Sequence, residues 1–423
     1  MNKAMTLGWL AIALALVAVP ALAQDPLEGK RIVSVQVAGL DHIKESVVLE
    51  QIKSVPGTPY HRAIAERDVF RLDRLGVFGA ISVVPAAVDD GVRIDVTLTE
   101  TPRFVPAVSI AVTDENGASA GPAVKMTSVK GHPYDVGITT RFGGETLGQF
   151  SLVSPNLTRQ RRWESVKLAL SDHYNKLDEF TQRSFDLDAR IGGRMSEEWL
   201  AGAIFKYYTT GSEASGITLD PDNHDAFASY GAVTEYDNRD SWREPSRGWF
   251  ASADALWTTG SGEYATVDLD VRRYNPVAPR QTIVATALLT MQSGADGVDL
   301  PTYSDFAIGG ENTVRGHGFG SSRGKNQFIA TLEYRYSILP TRTFRVAGLN
   351  LYAGLALAAF GDVGSAWSDA DAFSDSVLGG YGIGLRLYIP YVNMIRLDLS
   401  FGDGVHGGLG INEKAVAQRN RVR

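Results

Sequence analysis

From Phe104 onward the chain alternates apolar and polar residues with a period of two, and its charges keep to one of the two faces. Ala265, Val267, Leu269 and Val271 alternate with Thr266, Asp268, Asp270 and Arg272, and Ile395, Leu397, Leu399 and Phe401 with Arg396, Asp398 and Ser400. The same pattern sets Val166, Leu168 and Leu170 against Ser165, Lys167 and Ser171, and Phe185, Leu187 and Ala189 against Asp186, Asp188 and Arg190. A period of two belongs to strands. An apolar face backed by a charged one suits a wall with lipid outside and a polar lumen inside. A β-sandwich also alternates, but it packs the apolar face inward and seldom needs so many strands of this length.

Export supports the membrane reading. Lys3, the apolar run Leu7 to Val19 and the small-residue site Ala21-Leu22-Ala23 make residues 1–23 a secretory signal peptide. That run is too short for a spanning helix, and no other stretch approaches the roughly 18 apolar residues such a helix needs. The chain has no cysteine, which removes disulfides and thiolate chemistry. A net charge of -7 argues against a nucleic-acid partner.

Residues 30–100 read as a separate small α+β unit. Val33, Val35 and Val37 mark a strand over Ile32–Leu40, and Asp41 is a candidate N-cap for a helix through Lys53. Pro56-Gly57-Thr58-Pro59 breaks the chain; Ala65, Val69, Leu72 and Leu75 then recur at helical spacing, closed by Gly76. Strands Ala80–Val84, ended by Pro85, and Val92–Leu98 follow, joined across Asp89-Asp90-Gly91. The order is β-α-α-β-β. Residues 104–415 then leave room for about sixteen strands of roughly ten residues with about ten per connection, and fourteen to eighteen all fit. A basic tail over 416–423 ends the chain, after a last strand expected over Val405–Lys414.

Ala307-Ile308-Gly309-Gly310-Glu311-Asn312-Thr313-Val314-Arg315-Gly316-His317 is a glycine-rich loop with one arginine between two amphipathic segments. A buried guanidinium must find carboxylates, since an unpaired charge costs several kcal/mol out of water. Glu333 and Asp362 are the candidates, each on the polar parity of its segment: Glu333 with Thr331 and Arg335, Asp362 with Ala356, Ala358 and Phe360. Together with Phe360, Gly364 and Trp367 in a Phe-x-Asp-x-Gly-x-x-Trp strand, this loop resembles the Val-Arg-Gly-aromatic loop of the POTRA–barrel outer-membrane assembly and translocation superfamily of Gram-negative bacteria, the bacterial surface antigen family. Residues 30–100 are similar to its POTRA domain, and Tyr236-Asp237-Asn238-Arg239-Asp240 with Pro245 and Gly248 resembles a mid-barrel hairpin.

The resemblance implies one periplasmic POTRA followed by an all-β transmembrane barrel of 16 antiparallel strands, with Val314, Arg315 and Gly316 anchored in the lumen by Glu333 or Asp362. It implies a protein that inserts barrel proteins into the outer membrane, with a polypeptide secretion channel of the two-partner type, or a passive pore or surface antigen, as alternatives. Its partners would be outer-membrane lipid, unfolded client polypeptides, and periplasmic chaperones or accessory lipoproteins; no cofactor and no enzyme activity are implied. A client strand would add to the POTRA edge at Ile81, Ser82 and Val83. The lateral seam would run between Phe104–Thr113 and the last strand, weakened by Pro106, Gly407, Gly408 and Gly410.

Three features depart from the family: a single POTRA, His317 where an aromatic is usual, and the basic tail. Only Gln24–Gly29 precede the first strand, too short for the plug helix of two-partner transporters. Two enzyme-like strings lack their context. Gly320-Ser321-Ser322-Arg323-Gly324 has no helix after it to form a nucleophile elbow, and Gly402-Asp403-Gly404-Val405-His406-Gly407 reads as a hairpin. His42, His61, His132, His173, His224, His317 and His406 are scattered, with no pair at metal-ligand spacing.

Overall fold

The computed structural model describes residues 25–154, 162–241, 244–346, 349–369, 373–389 and 393–411. The signal peptide, the basic tail and Lys414 lie outside the described residues.

The first unit runs β1 (Ile32–Ala38), α1 (Glu45–Gln51), α2 (Arg62–Asp73), β2 (Phe78–Val88) and β3 (Gly91–Glu100). Its sheet is ordered β1-β3-β2, with β1 parallel and β2 antiparallel to β3. Ile32, Val47, Val48, Leu72, Phe78, Ile94 and Leu98 form its core, and Ile81 and Val83 pack against the margin.

Two local readings change. The first helix starts at Glu45, and Asp41 does not cap it: Lys44 holds the N-cap without a side-chain bond. The segment before it is held by Glu100, whose carboxylate accepts the N–H groups of Asp41, His42 and Ile43 at 2.9, 2.8 and 2.9 Å. That acceptor comes from the far end of the unit, where local spacing cannot reveal it. Nor does Pro85 end its strand: it pairs with Ile94, and β2 continues to Val88. Proline is tolerated on an edge strand, where its nitrogen can face away from the ladder.

The barrel has sixteen antiparallel strands in chain order, from Phe104–Thr113 to Val405–Ile411. Strand Gln281–Gln292 pairs with Asn326–Val346, and residues 293–325 between them form a long loop carrying a small hairpin, Phe306–Ile308 with Ser322–Gly324. The terminal strands approach within 8 Å between Cα atoms, yet no ladder joins them among the described residues.

Alternation becomes inside and outside. Val267, Leu269 and Val271 are 42%, 36% and 38% exposed, whereas Thr266, Asp268, Asp270 and Arg272 are buried toward the lumen. On that wall Arg272 pairs with Asp270, and Arg190 reaches Asp188 at 2.9 Å and Asp254 at 3.2 Å. Among the described residues no helix is long and apolar enough to cross a membrane. The small unit sits on the barrel's near end: Arg67 and Arg71 on α2 pair with Glu198 and Glu197, both at 2.8 Å, and the Lys44 N–H donates to the Gly131 carbonyl at 3.0 Å.

Candidate functional site

The loop of residues 293–325 turns back into the barrel, and its sequence explains how. Gly309, Gly310 and Gly316 adopt φ of 115°, 102° and 86°, which side chains disfavour. A Cβ on Gly316 would also stand 2.5 Å from the Phe401 carbonyl carbon. Val314, fully buried, packs with Leu288, Ile308, Ile329 and Ala366 and fixes the tip against the wall.

Arg315 follows, with no exposed side-chain surface. Its Nε and Nη2 donate to Asp362 at 2.7 and 2.9 Å, and its backbone N–H donates to the same carboxylate at 3.2 Å. Nη1 donates to Asp398 at 2.8 Å; Glu333 stands further off, at 3.7 Å. The guanidinium lies 3.2 Å over the centroid of the Phe360 ring, a cation–π arrangement. Thr331 donates to Asp362 at 2.8 Å, taking up a remaining lone pair.

The expected partners therefore divide. Asp362 binds Arg315 directly, while Glu333 accepts Arg386 at 3.0 and 2.5 Å and Arg335 at 2.6 Å. Arg386 also reaches Asp398 at 2.5 Å, and Arg396 donates to the Glu311 carboxylate and the Asn312 side-chain oxygen at 3.2 and 3.0 Å. Sequence reasoning missed Asp398, Arg386, Arg396 and Glu311, although the alternation around Ile395, Leu397 and Leu399 already placed Arg396 and Asp398 on the polar face. The group brings Arg315, Arg335, Arg386 and Arg396 together with Glu311, Glu333, Asp362 and Asp398. Buried ion pairs become tolerable when their remaining donors and acceptors are matched in this way.

Small residues make room for the network. Gly364 faces Val314, and a Cβ there would lie 2.9 Å from its Cγ2. Gly380 lies against the Arg315 carbonyl oxygen, Gly408 against the Glu311 carboxylate and Gly410 against the Arg396 guanidinium, each closer than a Cβ permits. Two of the glycines expected to weaken the seam thus seat the loop, while Gly407 meets nothing within 4 Å. Pro106 stands opposite Val124 at a non-bonded position of the ladder, since the Thr127 N–H donates to the Arg103 carbonyl three residues earlier, so its nitrogen is turned toward the opening. Trp367 does not share the inner parity of Phe360, Asp362 and Gly364; it packs edge-on against Phe373 at 5.2 Å, because the segment Phe373–Ser376 covers the outside of the strand end.

The loop also touches both margins of the barrel opening. Asp114, just after the first barrel strand, accepts the N–H groups of Glu311 and Asn312 at 3.0 and 3.4 Å. The side chains of those two residues are bound by Arg396, on the strand next to the last. Ser322 of the esterase-like string is buried and exchanges hydrogen bonds with the Ala366 backbone at 3.0 and 2.8 Å, and the described residues contain no metal-binding cluster.

A POTRA joined to a sixteen-stranded barrel with an inward-folded arginine loop defines a class of outer-membrane proteins. The Omp85 superfamily domain model matches residues 129–407, and the POTRA model, described as surface antigen variable number repeat, matches residues 30–101. The chain belongs to the Omp85 superfamily, with its barrel in the outer membrane and its POTRA in the periplasm.

Solved structures of the same fold include BamA from Haemophilus ducreyi lacking POTRA domains 1–3, 15% identical over 90% of this chain and 83% of that one, TM-score 0.56. CdiB from Escherichia coli is 14% identical over 92% of this chain and 75% of that one, TM-score 0.58. CdiB from Acinetobacter baumannii is 12% identical over 91% and 72%, TM-score 0.53.

Proposed function

We propose that this protein inserts client barrel polypeptides into the outer membrane, receiving an extended client strand at the edge of β2 and releasing it through the opening between Phe104–Thr113 and Val405–Ile411. The observation that carries the reading is the absence of a ladder between those strands among the described residues, in a sheet whose other neighbours are all paired. An unpaired edge is a template for another strand. The action is physical, exchanging backbone hydrogen bonds without making or breaking a covalent bond.

A polypeptide secretion channel of the two-partner type is the second reading. Passage through the lumen would require residues 309–317 to leave the Arg315, Arg386 and Arg396 network, whose charges would then need new partners. Insertion at the opening leaves that network in place, which favours the first reading.

The cysteine-free chain makes the test direct. Cysteine pairs, one from Ala107–Ala111 and one from Gly407–Ile411, close only where Cα atoms lie within about 7 Å. With an unfolded outer-membrane barrel polypeptide supplied to vesicles holding the protein, a closed disulfide should abolish client insertion while the barrel stays folded. Unchanged insertion by the locked barrel would rule out the opening.

A further inference from the structure

His317 follows the anchored tip but stands outside the buried network. Its Nε2 lies 2.9 Å from the Gly379 carbonyl oxygen, and its Nδ1 lies 3.5 Å from Oδ2 of Asp403 in the hairpin joining the last two strands. The hairpin is shaped to the ring, since a Cβ on Gly402 would come 2.7 Å from Nε2. The Asp403 N–H returns a hydrogen bond to the Gly316 carbonyl at 3.0 Å, so loop tip and hairpin are joined at backbone level too.

The two neighbours of the ring determine its useful charge state. A carbonyl oxygen only accepts, so Nε2 must carry a hydrogen. In the neutral ring Nδ1 then presents a lone pair to a carboxylate oxygen, which repels it. Only the imidazolium, with N–H on both nitrogens, satisfies both neighbours. His406 differs: its Nε2 meets Oδ1 of Asp403 at 3.0 Å and can donate in either charge state. The hydrogen bond from His406, then the charge of His317 and the Gly318 N–H, hold the Asp403 carboxyl below the usual carboxylate range. The carboxylate form of Asp403, the form an imidazolium at position 317 would meet, is thereby favoured. Asp403 faces His317 from the hairpin, His406 is bound to the other oxygen of the same carboxylate, and the guanidinium of Arg315, before it in the chain, is occupied by Asp362 and Asp398.

We propose that His317 and Asp403 form a proton-operated latch on the extracellular side, fastening the loop tip to the hairpin of the last two strands in mild acid and loosening it at alkaline pH. The strand parity of a barrel that starts beside the periplasmic POTRA puts this hairpin on the outside, where the pH is that of the surroundings. The latch regulates the margin of the opening and holds whichever way the chain handles polypeptide, so its failure would leave the opening itself untouched.

Amide hydrogen exchange of the full chain in detergent micelles, corrected for intrinsic rates, tests it at Asp403, whose N–H binds Gly316. Protection should rise about two- to fivefold from pH 8 to pH 5.5, the order of one half-exposed ion pair. Asp403→Asn and His317→Gln should each flatten that rise, whereas His406→Gln should keep most of it. Asp403 lies in an exposed turn, so its variant is expected to fold, and the His406 variant supplies a second measurement. Protection equal at the two pH values would overturn the latch, as would a rise that survives Asp403→Asn or is lost only in His406→Gln.

Discussion

Gly380 lies against the carbonyl oxygen of Arg315, closer than any side chain at position 380 would allow. The wall strand Leu378–Ile389 is thus shaped to the backbone of the loop, independently of the charges that hold the guanidinium. Gly380→Ala should push the loop tip off the wall and destabilise the barrel by about 1–3 kcal/mol, the usual cost of overpacking. Gly379→Ala is the control, since nothing lies within 4 Å of a Cβ there. Heat-modifiable migration on gels reads both: the Gly380 variant should unfold at a lower temperature, the Gly379 variant at that of wild type. Equal behaviour would mean that the tip is not docked against this strand.

Removing the Arg315 side chain leaves Asp362 with the Thr331 hydroxyl and the backbone N–H of residue 315 among the contacts described, and takes one of two close arginines from Asp398. Breaking a buried pair from one side costs about 3–5 kcal/mol. Arg315→Ala should therefore lower the barrel's unfolding temperature more than Gly380→Ala does. Glu333→Gln should act mainly through Arg386 and Arg335, which it binds at 2.5–3.0 Å, and show weaker coupling to Arg315 in a double-mutant cycle. Coupling of Glu333 to Arg315 as strong as that of Asp362 would contradict the geometry.

The barrel was legible because lipid and lumen impose a period of two on every strand, as Val267, Leu269 and Val271 demonstrate against Asp268 and Asp270. The tip was legible through Val314-Arg315-Gly316, where glycine and a lone buried charge leave few folds open. Partners drawn from distant strands were less so. Arg386 sits between Leu385 and Leu387 on the polar parity, but nothing local says that it meets Glu333 rather than solvent. The same limit hid Glu100 capping the segment before α1, and it made Gly408 and Gly410 look like weak points when they are seats for Glu311 and Arg396.

Asp114 offers a separate handle on the opening, since it holds the loop from the first-strand side. Asp114→Ala leaves the N–H groups of Glu311 and Asn312 without that acceptor, at about 1–3 kcal/mol for the part withdrawn from water. The network around Arg315 stays intact. Cysteine pairs across the terminal strands should then form more slowly than in wild type, because the two margins share one strap fewer. An unchanged crosslinking rate would mean that the loop does not tie the margins together.

At the POTRA, Ser82 and Val84 are exposed on edge strand β2 while Ile81 and Val83 pack inward. Pro85 is accommodated within the strand, so its nitrogen and those of Val83 and Ile81 face outward, and the Ser82 N–H faces β3. A proline at Ser82 would therefore break the inner ladder, not the open edge. The suitable probe is a photo-crosslinking residue at Ser82 or Val84, with Gln36 on the opposite edge strand as control. Unfolded barrel polypeptide should be captured at the first two positions and not at the third. Equal capture at Gln36 would remove β2 as the receiving edge.

Gly407 and Gly408 separate the two roles that glycine plays in the last strand. Gly407 faces open space and Gly408 faces the Glu311 carboxylate, although they are neighbours in one strand. A β-branched residue stiffens a strand and packs on its lipid face, whereas glycine weakens it. Gly407→Val should leave barrel stability equal or raised and, if the last strand must yield to admit a client, slow insertion severalfold. Gly408→Val should instead expel Glu311 from its seat, disturb Arg396 and lower the unfolding temperature. Measuring both properties on both variants decides between strand softness and loop packing. If Gly407→Val inserts clients at the wild-type rate while Gly408→Val destabilises the barrel, the glycines serve the loop alone, and softness of the last strand has no part in admitting polypeptide.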